Sequence, residues 1–127
     1  MSEDERPAMA IGHVSLRVTD VPVASDFYET LGMRSILKKD GIAILELRGG
    51  THILLFKAKG KPRKGRVRSF DLMVDDVHAA RIGLAEKGLE VGDIEEDKLG
   101  GHEYFDVTDP DGHILTVYST HAGGRVV

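Results

Sequence analysis

The sequence predicts an α+β fold made of two tandem βαβββ modules within one domain, and three observations carry that prediction. The first is a repeat: Leu16, Val18, Asp20, Val21, Ala24 and Gly32 recur 56 residues later as Leu72, Val74, Asp76, Val77, Ala80 and Gly88. The second is a repeat at a longer offset, in which Gly50, Leu54 and Phe56 match Gly112, Thr116 and Tyr118, 62 residues on. The difference, 62 − 56 = 6, places a six-residue insertion in the second half, most simply within 91–101. The third is the stretch Asp109-Pro110-Asp111-Gly112-His113, a tight turn that feeds the alternating, β-branched and aromatic run Ile114 to Tyr118. Self-similarity at fixed spacing marks duplicated units, and two copies of this length make halves of one domain, not a solenoid.

Each element follows from local pattern. Ile11 to Val18 alternates, with Val14, Leu16 and Val18 on one face and His13, Ser15 and Arg17 on the other. Thr19 or Asp20 caps a helix over 21–31, with Pro22 in its first turn, where a missing N–H costs nothing. That helix stops at Gly32 and is expected to bury Val23, Phe27, Tyr28 and Leu31. Strands over 35–37, 42–47 and 51–56, with turns at Asp40-Gly41 and Gly49-Gly50, complete module one, 10–56. Lys57, Lys59, Lys61, Arg63, Lys64 and Arg66 mark a basic linker over 57–66, taken as a solvated connector because no aromatic residues interleave for base stacking. Module two, 67–120, repeats the order: a strand over 69–74, a helix over 76–88 from Asp76 to Gly88, and strands over 90–94, 103–107 and 113–119. Residues 1–9 and 121–127 are expected to be tails, the first of them disordered.

Composition narrows the function classes. A chain of 127 residues with 41% apolar and 30% charged residues is an ordinary single globular domain. A net charge of −4 argues against general nucleic-acid binding, and the lack of cysteine removes disulfides, thiolate metal sites and thiol nucleophiles. No apolar run approaches the roughly 20 residues of a membrane span. The acidic opening Met1 to Arg6 lacks a following apolar segment, so no secretory signal is expected, and the chain is assigned to the cytoplasm.

Several stretches carry a family resemblance. They are His13-Val14-Ser15-Leu16-Arg17-Val18 with Asp20, Phe27-Tyr28 ahead of Leu31-Gly32-Met33, Val74-Asp75-Asp76, and Asp109-Pro110-Asp111-Gly112-His113. Together, over about residues 10–120, the chain resembles the vicinal oxygen chelate superfamily. That group holds glyoxalase I, fosfomycin-resistance transferases, extradiol dioxygenases and bleomycin-resistance binding proteins. The resemblance implies that the modules curl into a mixed-sheet cup whose walls are the strand faces opposite the helices. Alternation then puts His13, Ser15, Arg17, His52, Leu54 and Phe56 on the cup face of module one. Ser69, Asp71, Met73, His102, Tyr104, Asp106, Ile114, Thr116 and Tyr118 follow in module two. The opposite set, from Val14 and Leu16 to Leu115 and Val117, is almost wholly apolar.

The superfamily's enzymes hold a divalent metal with four side chains, two per module, and by resemblance those places fall on His13, Leu54, Ser69 and Thr116. His13 alone of these is a competent ligand, since leucine has no lone pair and neutral hydroxyls bind weakly beside carboxylates. A relocated site of His13, His52 and a carboxylate (Asp71 or Asp106, with His102 on the same face) would suit Fe or Zn, although a shared face does not establish convergence. His52 and His113 flank turns and also read as surface residues. In glyoxalase I the arginine of the matching His-x-x-x-Arg-Val pattern contacts a carboxylate of the glutathione conjugate. Arg17 is therefore either an anion clamp or a partner of Asp71 or Asp106 inside the cup. Tyr104 and Tyr118 are divided between cup wall and core filler.

Two function classes follow. One is a metal-free binding protein that holds a small organic anion through Arg17, with His13, His52 and Tyr104 nearby. The other is a lyase, transferase or dioxygenase with a rearranged Zn, Ni, Mn or Fe site. No cofactor is expected under the first. Low aromatic content (6%, no Trp) argues against a large flat ligand of the bleomycin kind. Family members commonly close the cup between two chains, so a homodimer is expected, with neither nucleic acid nor membrane as partner.

Overall fold

The computed structural model describes residues 5–99 and 101–120. Of the expected tails, 5–9 is exposed and the remainder lies outside the described residues. The elements are β1 (His13–Val18), α1 (Val21–Leu31), β2 (Arg34–Lys38), β3 (Ile42–Glu46) and β4 (His52–Lys57), then β5 (Gly65–Arg66), β6 (Leu72–Val74), α2 (Val77–Glu86), β7 (Glu90–Val91), β8 (Glu95–Asp97), β9 (His102–Thr108) and β10 (His113–Ser119). They form two mixed sheets. The first has the order β1-β4-β3-β2; the second has the order β5-β10-β9-β7, with β6 also on β10 and β8 also on β9. Helix α1 packs on β2, β3 and β4, and α2 packs on β7, β9 and β10. The fold is the α+β arrangement expected, one helix per sheet.

The duplication holds at the level of single hydrogen bonds. Asp20 caps α1 through Val23 N at 3.1 Å, and Asp76 caps α2 through Ala79 N at 3.0 Å; 20 + 56 = 76 and 23 + 56 = 79. Both helices end the same way, with Met33 N on Tyr28 O and Leu89 N on Leu84 O, again 56 apart. Gly32 and Gly88 take positive φ beside those closures (126° and 83°). Gly50 and Gly112 share φ near 90° at the turns before β4 and β10, a conformation that costs glycine nothing and other residues dearly. Even the bulge repeats. Register shifts by one residue after Ser35 on β2, and by one between Val91 and Glu95 along β9; 35 + 56 = 91.

One buried cluster draws on both modules: Leu16, Val18, Val21, Ala24, Tyr28, Leu45, Ile53 and Leu55 meet Val77, Leu84, Phe105, Val107, Leu115 and Val117. Its members Leu16, Val18, Ile53, Leu55, Phe105, Val107, Leu115 and Val117 are apolar strand positions that alternation set opposite the cup face. Helix α1 buries Val21, Ala24, Ser25 and Tyr28, whereas Val23 is 49% exposed, contrary to expectation. Two residues beyond Val21 is about 200° around the helix, so Val23 points away from the face that Val21 and Tyr28 share.

The turn before β10 is the clasp between modules. The Asp109 carboxylate accepts from Tyr28 Oη at 2.7 Å, from Asp111 N at 2.8 Å and from His113 N at 2.9 Å. Asp111 accepts from Thr19 N at 3.0 Å, and His113 Nε2 lies 2.8 Å from the Arg17 carbonyl. His113 is 7% exposed, so its reading as a surface residue is corrected: its ring bridges to β1. Asp109, Asp111 and His113 also bring ligand atoms within 4.8 Å of one another. Those atoms are already engaged by backbone and Tyr28, and the trio is structural.

Two places break the repeat. Leu72, Met73 and Val74 pair with Val117, Tyr118 and Ser119 in the register that Leu16, Arg17 and Val18 keep with Leu55, Phe56 and Lys57. Upstream the register jumps: Arg66 is opposite Ile114, so six residues on one strand (72 − 66) face three on the other (117 − 114). The strand expected over 69–74 is thus confined to 72–74, Gly65–Arg66 from the expected linker forms the other short strand, and 67–71 loops out between them. The second break is the insertion. The strand expected over 90–94 is interrupted at Gly92 to Ile94 and resumes as β8, which pairs with the start of β9 and lengthens their hairpin beyond its counterpart in module one.

Candidate functional site

Both breaks border one cleft. It encloses about 560 Å³ on the open face of the second sheet. Its lining falls into three groups: Arg66, Val67, Arg68, Phe70 and Asp71 from the looped-out segment and its approach, Glu96 to Leu99 from the lengthened hairpin, and Tyr104, Thr116 and Tyr118 from β9 and β10. Module one has neither the loop nor the long hairpin, and His13, Arg17, His52 and Leu54 line no part of this cleft.

Among the lining residues is Arg66, which the sequence assigned to the solvated linker. Its Nη1 and Nη2 donate to the two carboxylate oxygens of Asp106, each at 2.8 Å, a forked pair, and Nη1 also donates to Thr116 Oγ1. Thr116 in turn donates to Asp106 Oδ1 at 2.9 Å and is 5% exposed. The guanidinium holds the Asp106 carboxyl below the usual carboxylate range, with the Thr116 hydroxyl adding to that and burial opposing it. Asp106 likewise raises Arg66. Asp106, one of the two partners offered to Arg17 inside the cup, is therefore taken by Arg66. The sequence did hold one signal: Asp106 and Thr116 are inward-facing polar groups directly opposite each other on β9 and β10, and together they call for a donor.

Tyr104 and Tyr118 form the wall and belong to a row of three rings. Tyr118 lies between His102 and Tyr104, with ring centroids 5.4 Å and 5.3 Å away. His102 Nδ1 sits 2.7 Å from the Ser119 carbonyl, which fixes the ring. The Tyr104 hydroxyl is raised above its ordinary pKa, chiefly by the charge of Glu95. Tyr104 and Tyr118 are thus wall and not core filler. Asp71 lies on the rim, while Ser69 is exposed in the loop and off the strand.

The remaining candidates are on the first sheet. His13 and His52 are register partners with ring centroids 6.0 Å apart, and Leu54 stands opposite Ser15. The Arg17 guanidinium carbon lies 5.1 Å from the centre of the Phe56 ring, a cation–π contact. Arg17 also borders a shallow hollow of about 460 Å³ with Lys59, Lys61 and Arg63. That hollow has no carboxylate in its lining, so it favours anions.

The four family metal places do not fit an ion. Leu54 has no lone pair, and Ser69 has left the strand. In module two the position matching His13 is filled by Arg66: His13 faces His52, 52 + 62 = 114, and Ile114 faces Arg66. A fixed cation hydrogen-bonded to Thr116 repels a second one, and the hydroxyl's own proton is directed at Asp106.

Paired βαβββ modules, each with one open sheet face, define a class of small cup-forming proteins. The family model described as Glyoxalase/Bleomycin resistance protein/Dioxygenase superfamily matches residues 10–117, and this chain belongs to that superfamily. No curated protein matches the sequence. Among solved structures, an integron cassette protein from the mobile metagenome of the Halifax Harbour sewage outfall aligns at TM-score 0.76 and 20% identity, covering 87% of this chain and 98% of its own. A lactoylglutathione lyase from Agrobacterium tumefaciens aligns at 0.72 and 19%, covering 95% and 100%. TnmS3, an antibiotic binding protein from Streptomyces sp. CB03234, aligns at 0.73 and 24%, covering 90% and 98%. At these identities the likeness is one of fold.

Proposed function

We propose that this protein binds a small organic anion in the cup, without the divalent ion of the superfamily's enzymes. The observation that carries this reading is that the two departures from the internal repeat both border the same cleft. Elsewhere the modules keep their caps, closures and bulges in register, so the loop 67–71 and the lengthened hairpin mark where module two was elaborated around a space. The second sheet supplies rings and a polar base; the first supplies Arg17, His13 and His52 on its own open face. A homodimer in which the first sheet of one copy faces the second sheet of the other would join the two sets. That a structure described as an antibiotic binding protein shares this fold supports a binding role for the scaffold.

The opposed pair His13 and His52 favours a second reading, a metal-dependent enzyme with a rearranged site completed across such a dimer. Native mass spectrometry of freshly purified protein, with metal analysis, separates the two. The binding reading expects a dimer carrying an organic ligand that is lost from a Tyr104→Ala/Tyr118→Ala variant, and a thermal transition unmoved by chelators. Stoichiometric Zn, Ni, Mn or Fe lost on His13→Ala would put the enzyme reading first.

A further inference from the structure

We infer that the Arg66 guanidinium does in this cleft what a bound cation does in metal-dependent members: it is a built-in positive charge that receives the anionic group of an aromatic ligand stacked on Tyr104 and Tyr118. The inference rests on the cleft reading above and adds the residue and the ligand class. Three features support it. Arg66 occupies the strand position that matches His13, on the edge strand beside β10, and its side chain lines the cleft while staying 44% exposed. Its orientation is fixed, because Asp106 grips it through two parallel hydrogen bonds and Thr116 through a third. A guanidinium carries five N–H donors, so three are engaged, and two, on Nε and Nη2, remain without a partner among the described residues.

The charge around Arg66 sets the ligand. Asp106 offsets most of the guanidinium charge, so a bare inorganic anion gains little from it. An aromatic acid gains twice, from the free N–H edge and from ring stacking on the tyrosine wall, each modest alone. Phe70 and Val67 add apolar surface to the cleft lining. Arg68 and Lys98 line the same space without ion-pair partners among the described residues, and Asp71, Glu96 and Asp97 line it with them. They leave Arg66 as the fixed cation. The expected ligand class is an aromatic or otherwise planar carboxylate.

The test uses 2-naphthoate and its neutral isostere 2-naphthamide, titrated into full-length protein and followed by ¹H–¹⁵N NMR at the Thr116 and Tyr118 amides and the Arg66 Nε–H. The expected result is that the acid binds about tenfold tighter than the amide, the worth of one charge-assisted hydrogen bond. Arg66→Gln should abolish that preference. If leaving Asp106 unpaired unfolds the protein, Arg66→Gln/Asp106→Asn removes both charges and should show the same loss. Asp106→Asn alone should strengthen acid binding, because the guanidinium loses its counter-charge; a purely structural ion pair would give no gain. Equal binding of acid and amide at the cleft overturns the inference but leaves the cleft reading standing, as does a preference that survives Arg66→Gln or an acid affinity that Asp106→Asn fails to raise. Shifts confined to other surfaces overturn both.

Discussion

Tyr28 ties the two modules together. It is fully buried on α1, and its hydroxyl reaches across the module boundary to Asp109, which two backbone N–H groups also serve. Burial, and after it the Asp109 charge, push the phenol far above its ordinary pKa of 10.0, so it stays protonated in the fold. A raised folded pKa contributes stability that is complete below the unfolded value and lost as pH rises towards the folded one. The window here opens at about pH 10, where unfolded tyrosine begins to ionise and folded Tyr28 does not. Tyr28→Phe should lower stability by about 1–3 kcal/mol at neutral pH, the cost of removing one donor from a buried carboxylate. The gap between wild type and variant should close as pH rises beyond 10; urea melts at pH 7 and 10.5 that show a constant gap would refute the assignment. One turn earlier, Ser25 is fully buried, and its hydroxyl has no hydrogen-bond partner among the described residues. Ser25→Ala removes an unmet polar group at little cost in volume, and should raise the melting temperature by a few degrees, for about 1 kcal/mol.

At the level of elements, the internal repeat makes paired experiments possible. Asp20 and Asp76 cap their helices with nearly the same backbone angles (φ −129°, ψ 105° and φ −131°, ψ 101°) and each accepts from the third residue on. Asp20→Ala and Asp76→Ala should therefore each cost about 1 kcal/mol, measured by denaturant melts, and the double variant should cost their sum because the sites share no partner. The same regularity explains how far the sequence could be read. Caps, closing glycines and inward apolar alternation are short-range patterns, and these were legible. Tertiary pairing decided what was not. Gly65-Arg66 resembles the basic linker around it, and becomes strand only because β10 offers an open edge; Val67 is then held by its N–H on the Ile114 carbonyl, 2.9 Å away. The three surplus residues had no local signature. A strand expected at 69–74 by simple offset had the right residues at 72–74 and the wrong ones before them. Of the site residues, parity placed Tyr104, Asp106, Thr116 and Tyr118 on one face, but only the register could show that their cation is Arg66 and not Arg17.

For the whole molecule, the open face of the first sheet is the feature that asks for a partner. Register lays it out in rows: Ser15, Leu54, Ile44 and Leu37 across the middle, Arg17, Phe56 and Ile42 beside them, and His13, His52, Glu46 and Arg34 at the end. The centre is apolar and partly exposed, and both helices lie elsewhere, α1 on the other side of this sheet. A face of this kind, polar at its edges and apolar within, matches the composition of an interface between copies. A second copy suits it best, because the second sheet offers rings, a forked ion pair and a cleft that Arg17 and the histidines could then close. Each chain has a mass of 13.9 kDa, so light scattering at micromolar concentration should return twice that value, 2 × 13.9 = 27.8 kDa. An interface that stable should bury about 1,200 Å² or more in total. Ile44→Asp and Leu54→Asp put a charge in the middle row without touching the core on the other face, and each should yield a folded monomer with unchanged far-ultraviolet circular dichroism. If wild type itself scatters as 13.9 kDa, the cup does not close between chains, and the ligand must be held by the second sheet alone. Dimers that survive both substitutions would place the interface on another face, and would leave Arg17 outside the ligand's reach.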